Sequence, residues 1–212
     1  MIVPLGAYVM DRACADCVSW QSNAGPPVEV AVNVSNMQFG RDSFIEEVET
    51  TLKKTGLEPR LLQLELTESV MLVGLEKAIA TIRRLQSIGV TVAIDDFGTG
   101  YSALSYIQKL PFNALKIDRS FMKEIMQRSE TKAMVRSLVL LAQELGMKVI
   151  VEGVETEAQL KAIEEIGADE VQGFLLGHPT PNPLKHLSTY PSAMVENAMD
   201  EATFLVPELE VP

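Results

Sequence analysis

Six short apolar runs, rich in β-branched residues, punctuate the chain: Val28 to Val34, Leu61 to Leu66, Val90 to Asp95, Ala114 to Ile117, Met147 to Val151 and Asp169 to Gln172. Runs of this length and composition predict buried strands. Between them the apolar residues fall three and four apart, as in Leu75-Ala78-Ile79-Ile82-Leu85-Ile88 and Met134-Val135-Leu138-Leu141-Leu145, the spacing of amphipathic helices. A further helix is predicted over Ala7 to Gln21. Strand then helix, repeated along the chain, predicts parallel strands. When such strands close into a barrel, their carboxyl ends gather at one face and bring distant side chains together.

The residues at those ends are Asn33, Glu65, Asp95, Asp96, Glu152 and Gln172, with Lys116 among them. A single acid there is ordinarily a helix N-cap or a solvated turn residue. A succession of them is costly at buried strand termini unless something compensates the charge, and a divalent cation does so most directly. Asp95-Asp96-Phe97-Gly98-Thr99-Gly100-Tyr101-Ser102 is the densest signal. In an ideal strand the adjacent carboxylates would diverge, so the chain must turn at Asp96 for both to face one pocket. Glu65 has the parity of a ligand. Glu68, three residues on, reads as a brace for a neighbouring loop. Asn33 offers a neutral oxygen ligand, although such a residue is more often a structural amide. Lys116, in Leu115-Lys116-Ile117-Asp118, needs carboxylates near its ammonium. It fits a salt bridge, an orienting role towards water, or both. Glu152 reads equally as a proton acceptor or as a ligand.

The chain has 212 residues and is 47% hydrophobic, which suits one sizeable domain. Its formal charge of −11 argues against a duplex nucleic-acid surface, which needs excess Lys and Arg. A phosphate substrate is compatible with such acidity only through metal ions. Oxygen and amide donors without His or Cys clusters favour Mg²⁺ or Mn²⁺ over zinc or copper. The two histidines, His178 and His186, lie late in the chain, and Cys14 and Cys17 lack a second pair and read as packing residues. No apolar run approaches the ~20 residues of a membrane helix, and the opening Met1-Ile2-Val3-Pro4 has no signal-peptide layout. A cytoplasmic protein is the expectation. Linkers are expected at Gly25-Pro26-Pro27 and from Pro179 to Pro183, and an acidic amphipathic helix over Ser192 to Phe204. Residues 1–190 then form the barrel domain, and 191–212 an acidic C-terminal tail.

Val-Asn-Val-Ser, Glu-Leu-Thr-Glu-Ser, Asp-Asp-Phe-Gly-Thr-Gly-Tyr-Ser, Leu-Lys-Ile-Asp-Arg-Ser-Phe, Glu-Gly-Val-Glu-Thr and Gln-Gly-Phe follow one another in that order. The ordered set closely resembles the EAL-domain cyclic di-GMP phosphodiesterases, from the first residues to about Pro183. The resemblance implies an α/β fold, a modified TIM (β/α)8-type barrel. Its metal-dependent site would open cyclic di-GMP to linear pGpG. Asn33, Glu65, Asp95 and Asp96 match the family's metal ligands for Mg²⁺ or Mn²⁺, two ions being implied. Lys116 matches the lysine near the catalytic water, and Glu152 the acid given as general base or ligand. Gln172 matches the glutamine of the water and metal region. Glu68, with Thr99 and Glu155, belongs to the supporting loops. The loop after Asp96 contributes to dimerisation in the family, so a homodimer is implied. Bacterial second-messenger signalling is the implied setting, with an upstream sensory or GGDEF-type domain in a longer protein.

The departures bear on activity. The family's opening strands carry the Glu-Ala-Leu that names it, and no Glu-Ala-Leu occurs in these residues. Six strand-helix units are visible where a closed barrel has eight, so the expected barrel is N-terminally truncated. The missing glutamate is a metal ligand in the family, and a lowered rate is expected without it. Gly177-His178-Pro179 stands where the family usually has a basic residue before the proline. The alternative reading is a module that binds cyclic di-GMP, or a protein, without cleavage.

Overall fold

The computed structural model describes residues 1–21, 27–98 and 107–180, the side chains of 71–73 apart. Six strands follow the order of the chain: β1 (Val30–Asn33), β2 (Leu62–Thr67), β3 (Thr91–Phe97), β4 (Ala114–Ile117), β5 (Lys148–Val151) and β6 (Glu170–Val171). The helices are α1 (Ile2–Gln21), α2 (Asn36–Phe39), α3 (Phe44–Thr55), α4 (Leu75–Ile88), α5 (Ser120–Glu124), α6 (Ser129–Glu144) and α7 (Glu157–Ile166). Every register recorded is parallel, β1 with β2, β3 with β4, β4 with β5 and β5 with β6. Among the described residues no helix is long and apolar enough to cross a membrane.

The described chain forms two compact units, one taking in Met1–Glu65 and Arg84–Thr91, the other Leu66–Arg83 and Val92–His178. In the first, α1 packs on β1, α2 and α3. Val30, Val32, Leu62 and Leu64 are almost wholly buried, and Phe39 and Phe44 meet at a centroid distance of 5.9 Å. Helix α3 carries Glu46 and Glu47 in its first turn and Lys53 and Lys54 in its last, the arrangement that complements its dipole. In the second unit, α6 packs on β4 and β5 through Val135, Leu138, Val139 and Ala142. Thr156 and Gln159 form a reciprocal capping box that starts α7.

Polar side chains extend the ladders where strands begin. The Gln21 side chain accepts from Val28 N at 3.1 Å and donates to Val28 O. Asn113 Oδ1 accepts from Val92 N at 2.9 Å, and Asp169 Oδ2 from Val149 N at 2.8 Å. Each satisfies a backbone amide that would otherwise be orphaned at a buried edge.

Several boundaries differ from the pattern-based expectation. The helix expected from Ala7 begins at Ile2, because Pro4 falls in the first turn, where a missing N–H breaks no helical bond. Strand β3 runs past Asp95 to Phe97, with its register against β4 broken between Ile94 and Phe97. Strand β6 is only Glu170–Val171, although Asp169 N still donates to Val149 O at 3.1 Å and Gln172 N to Val151 O at 2.8 Å. Thr99 and the rest of its loop, Gly25 and Pro26, the stretch from Pro181 and the expected C-terminal helix lie outside the described residues.

Cys14 and Cys17 are fully buried on α1, Cys17 donating to Val28 O at 3.2 Å. Burial pushes the Cys14 thiol up to about 12 and raises that of Cys17. The reactive thiolate is therefore scarce at neutral pH. Neither thiol is expected to react with DTNB in the native chain, and both should react in denaturant. Rapid native labelling would show that α1 does not seat them.

Candidate functional site

Leu115 and Ile117 of β4 alternate with Lys116, and all three are buried. Strand parity sends Lys116 to the opposite face of the sheet from its apolar neighbours. Its ammonium is 4% exposed and lies 3.3 Å from Asp95 Oδ1 and 2.7 Å from Glu152 Oε1. One lysine at the centre of three adjacent parallel strands thus spans the carboxylates of β3 and of the residue following β5. Charge-assisted bonds of this kind offset the desolvation of all three groups.

Asp96 is the sole non-glycine residue with positive φ among the described residues, at 55°. Asp tolerates this left-handed conformation better than bulkier residues. The break in register between Ile94 and Phe97 is the same event seen in the ladder. Asp96 N donates to Asp95 Oδ1 at 2.9 Å, and an oxygen of Asp95, of Asp96 and of Glu152 all lie within 4.8 Å of one another. Asp95 is buried, Glu152 partly so and Asp96 exposed, so the cluster opens to solvent at Asp96. Burial raises the Glu152 carboxyl above its ordinary range. Lys116 opposes that rise, while Asp95 and Asp96 add to it.

Gln172 continues the β5–β6 ladder, its N–H donating to Val151 O at 2.8 Å and its carbonyl accepting from Val154 N at 3.0 Å. Its Oε1 is buried with no hydrogen-bond partner among the described residues. Glu68, at the start of a 3-10 turn after β2, accepts from Gly98 N at 3.1 Å and so ties the end of β3. Glu155 is exposed, and its N–H donates to Gln159 Oε1 at 2.8 Å.

In the first unit, Asn33 ends β1 directly opposite Glu65 of β2, and Val34 N donates to Glu65 O at 2.9 Å. Glu65 is 3% exposed, whereas Asn33 is exposed. The second unit brings Asp95, Asp96 and Glu152 together and pairs Lys116 with Asp95 and Glu152. Sequence reasoning passed over Gly153 and Gly173, although a glycine directly after Glu152 and after Gln172 is a readable sign of close backbone approach. A Cβ on Gly173 would lie 2.1 Å from Val154 O, and one on Gly153 2.5 Å from Arg119 Cβ.

The three carboxylates form a donor set that fits a hard divalent cation, and Gln172, at the end of the neighbouring strand, carries an orphaned amide oxygen. Comparison with known proteins places the fold. The chain is 40% identical over 181 residues to the bifunctional diguanylate cyclase/cyclic di-GMP phosphodiesterase MucR of Pseudomonas aeruginosa, covering 85% of this chain and 26% of that protein. It is 39% identical over 181 residues to the cyclic di-GMP phosphodiesterase NbdA of the same organism, covering 85% and 23%. The chain thus spans about a quarter of the length of these curated relatives. The solved structure of the PaMucR phosphodiesterase in complex with c-di-GMP matches it with a TM-score of 0.81 at 39% identity, over 87% of this chain and 74% of that one. The parallel strands and intervening helices are the corresponding part of a TIM-like barrel. With the EAL domain model matching residues 1–179, the chain belongs to the EAL domain family.

Proposed function

We propose that the chain provides a metal-dependent site that hydrolyses cyclic di-GMP to linear pGpG. The observation that carries this reading is the approach of Asp95, Asp96 and Glu152 within 4.8 Å of one another, with the buried Lys116 ammonium paired to Asp95 and Glu152. Asp95 and Asp96 would hold the cation in the second unit, and Asn33 and Glu65 are the proposed ligands contributed by the motifs of β1 and β2. Two Mg²⁺ or Mn²⁺ ions, the number the family resemblance implies, would supply Lewis acidity and a water of lowered pKa. Lys116 orients the attacking water by donating to it and holds Asp95 and Glu152 in register. Glu152, made more basic by burial, accepts the proton from that water. The Gln172 amide oxygen supplies a further acceptor that fixes the water's direction.

The test is incubation of purified protein with cyclic di-GMP and Mg²⁺ or Mn²⁺, scored by pGpG formation against a Glu152→Gln control. Turnover well above the control is expected, and turnover equal to it would overturn the reading. A second reading, binding without cleavage, is favoured by the Lys116 ammonium, which already occupies oxygens of Asp95 and Glu152 that a catalytic cation would take. Calorimetry that records cyclic di-GMP binding with no pGpG would select it. A homodimer in the cytoplasm completes the proposal, and light scattering that records only monomer at high concentration would remove the dimer.

A further inference from the structure

We propose that the turn from β4 into the first residues of α5, Arg119-Ser120-Phe121, is a wedge that positions the acidic cluster, and that Phe121 is the positioning residue for the Asp95–Asp96 bend. The turn is a rigid piece. Ser120 N donates to Asp118 Oδ1 at 2.9 Å, Phe121 N to Asp118 O at 3.2 Å and Met122 N to Arg119 O at 3.0 Å. Its two flanks meet the loops that follow β3 and β5. On one flank, the far edge of the Phe121 ring lies where side chains are excluded. A Cβ on Gly98 would come within 2.7 Å of Cζ and 2.8 Å of Cε2. On the other, a Cβ on Gly153 would meet Arg119 Cβ at 2.5 Å and Arg119 Cα at 3.1 Å. Gln159, whose side chain caps α7, also donates from Nε2 to Met122 O at 2.9 Å and locks the wedge to the segment after Glu152.

Gly98 lies two residues beyond Asp96, and its backbone is held from two sides, by Glu68 Oε1 on its N–H and by the Phe121 ring. The left-handed Asp96 has no intrinsic preference strong enough to hold its bend alone. Phe121 itself is half-buried and lines an open groove of about 380 Å³ with Ser120, Glu124, Arg128, Thr131 and Met134. Truncating the ring therefore opens the Glu68–Gly98 bond to water, instead of letting neighbouring side chains close over it. The acidic pair then loses the support that fixes its carboxylates relative to Glu152. Supporting contacts of this kind hold ligand geometry without touching the ligand.

The experiment measures hydrogen–deuterium exchange on the full chain as wild type, Phe121→Ala and Phe121→Leu, together with Mn²⁺ titration by calorimetry. In Phe121→Ala the Gly98 amide should exchange roughly tenfold faster while the amides of Ile150 and Val151 keep their protection. Mn²⁺ affinity should fall by about tenfold or more, and Phe121→Leu should recover part of both losses. Wild-type protection at Gly98 in Phe121→Ala would overturn the inference. So would an equal loss across β4 and β5, which would mark Phe121 as ordinary packing. The Mn²⁺ arm rests on the reading of Asp95 and Asp96 as ligands. A wild-type chain that binds no Mn²⁺ would sink that reading, while the exchange arm still decides the wedge.

Discussion

Lys116→Met is expected to cost the metal-free chain about 3–5 kcal/mol of folding stability, the range for removing one partner of a buried ion pair. Methionine keeps much of the side chain's volume, so the loss is one of charge and not of packing. Without the ammonium, Asp95 and Glu152 face each other across the sheet with their main positive partner removed. Either the carboxylates repel or Glu152, already raised by burial, takes up a proton. A divalent cation should restore much of the loss, because it supplies the missing positive charge to the same oxygens. Urea unfolding with and without Mn²⁺ checks both parts. An unchanged midpoint in metal-free buffer would mean that the ammonium does not compensate the cluster, and an equal deficit with Mn²⁺ would mean that the cation does not bind there.

Gly173→Ala carries the second large effect. The added methyl would lie 2.1 Å from Val154 O, 2.4 Å from Val154 N and 2.7 Å from Val154 C, all backbone atoms that cannot rotate away. Relief requires the strand-end segments to part, breaking the bonds from Val154 N to Gln172 O and from Leu175 N to Val154 O. A loss of about 1–3 kcal/mol is expected from overpacking, with the broken bonds adding to it. Since Glu152 and Gln172 sit at the two segments being pushed apart, the proposed cyclic di-GMP hydrolysis should fall by more than the folded fraction does. Thermal denaturation and an assay at a temperature where the variant is fully folded separate the two losses. Full activity in the folded variant would show that this approach does not set the site.

The strand-helix succession was legible because burial imposes its period on the sequence. Helix α4 spans Leu75–Ile88, the stretch over which its apolar residues recur three and four apart, and β4 spans Ala114–Ile117 as its apolar run does. Strand ends were less legible. At β6 the regular strand is two residues, Glu170–Val171, inside a longer bonded stretch, and at β3 the ladder runs through two acids to Phe97. The proposed site residues were picked out as polar groups closing apolar runs, where charge is costly unless something compensates it. Their partners could not. Nothing local marks Phe121 or Gln159 as neighbours of loops that lie far from them in the chain.

Periodicity, parity and motif order came from the sequence by itself: parallel strands alternating with helices, acids at their carboxyl ends, a turn needed at Asp96 and family membership written in the ordered motifs. These are local properties, fixed by side-chain chemistry and the repeat of the backbone. The tertiary structure alone decided that Lys116 spans Asp95 and Glu152, that Glu68 holds Gly98, and that another segment occupies the space a side chain would take at Gly98, Gly153 and Gly173. Those facts depend on distances between segments that are remote in sequence, and distance across a packed sheet is set by how whole elements fit together.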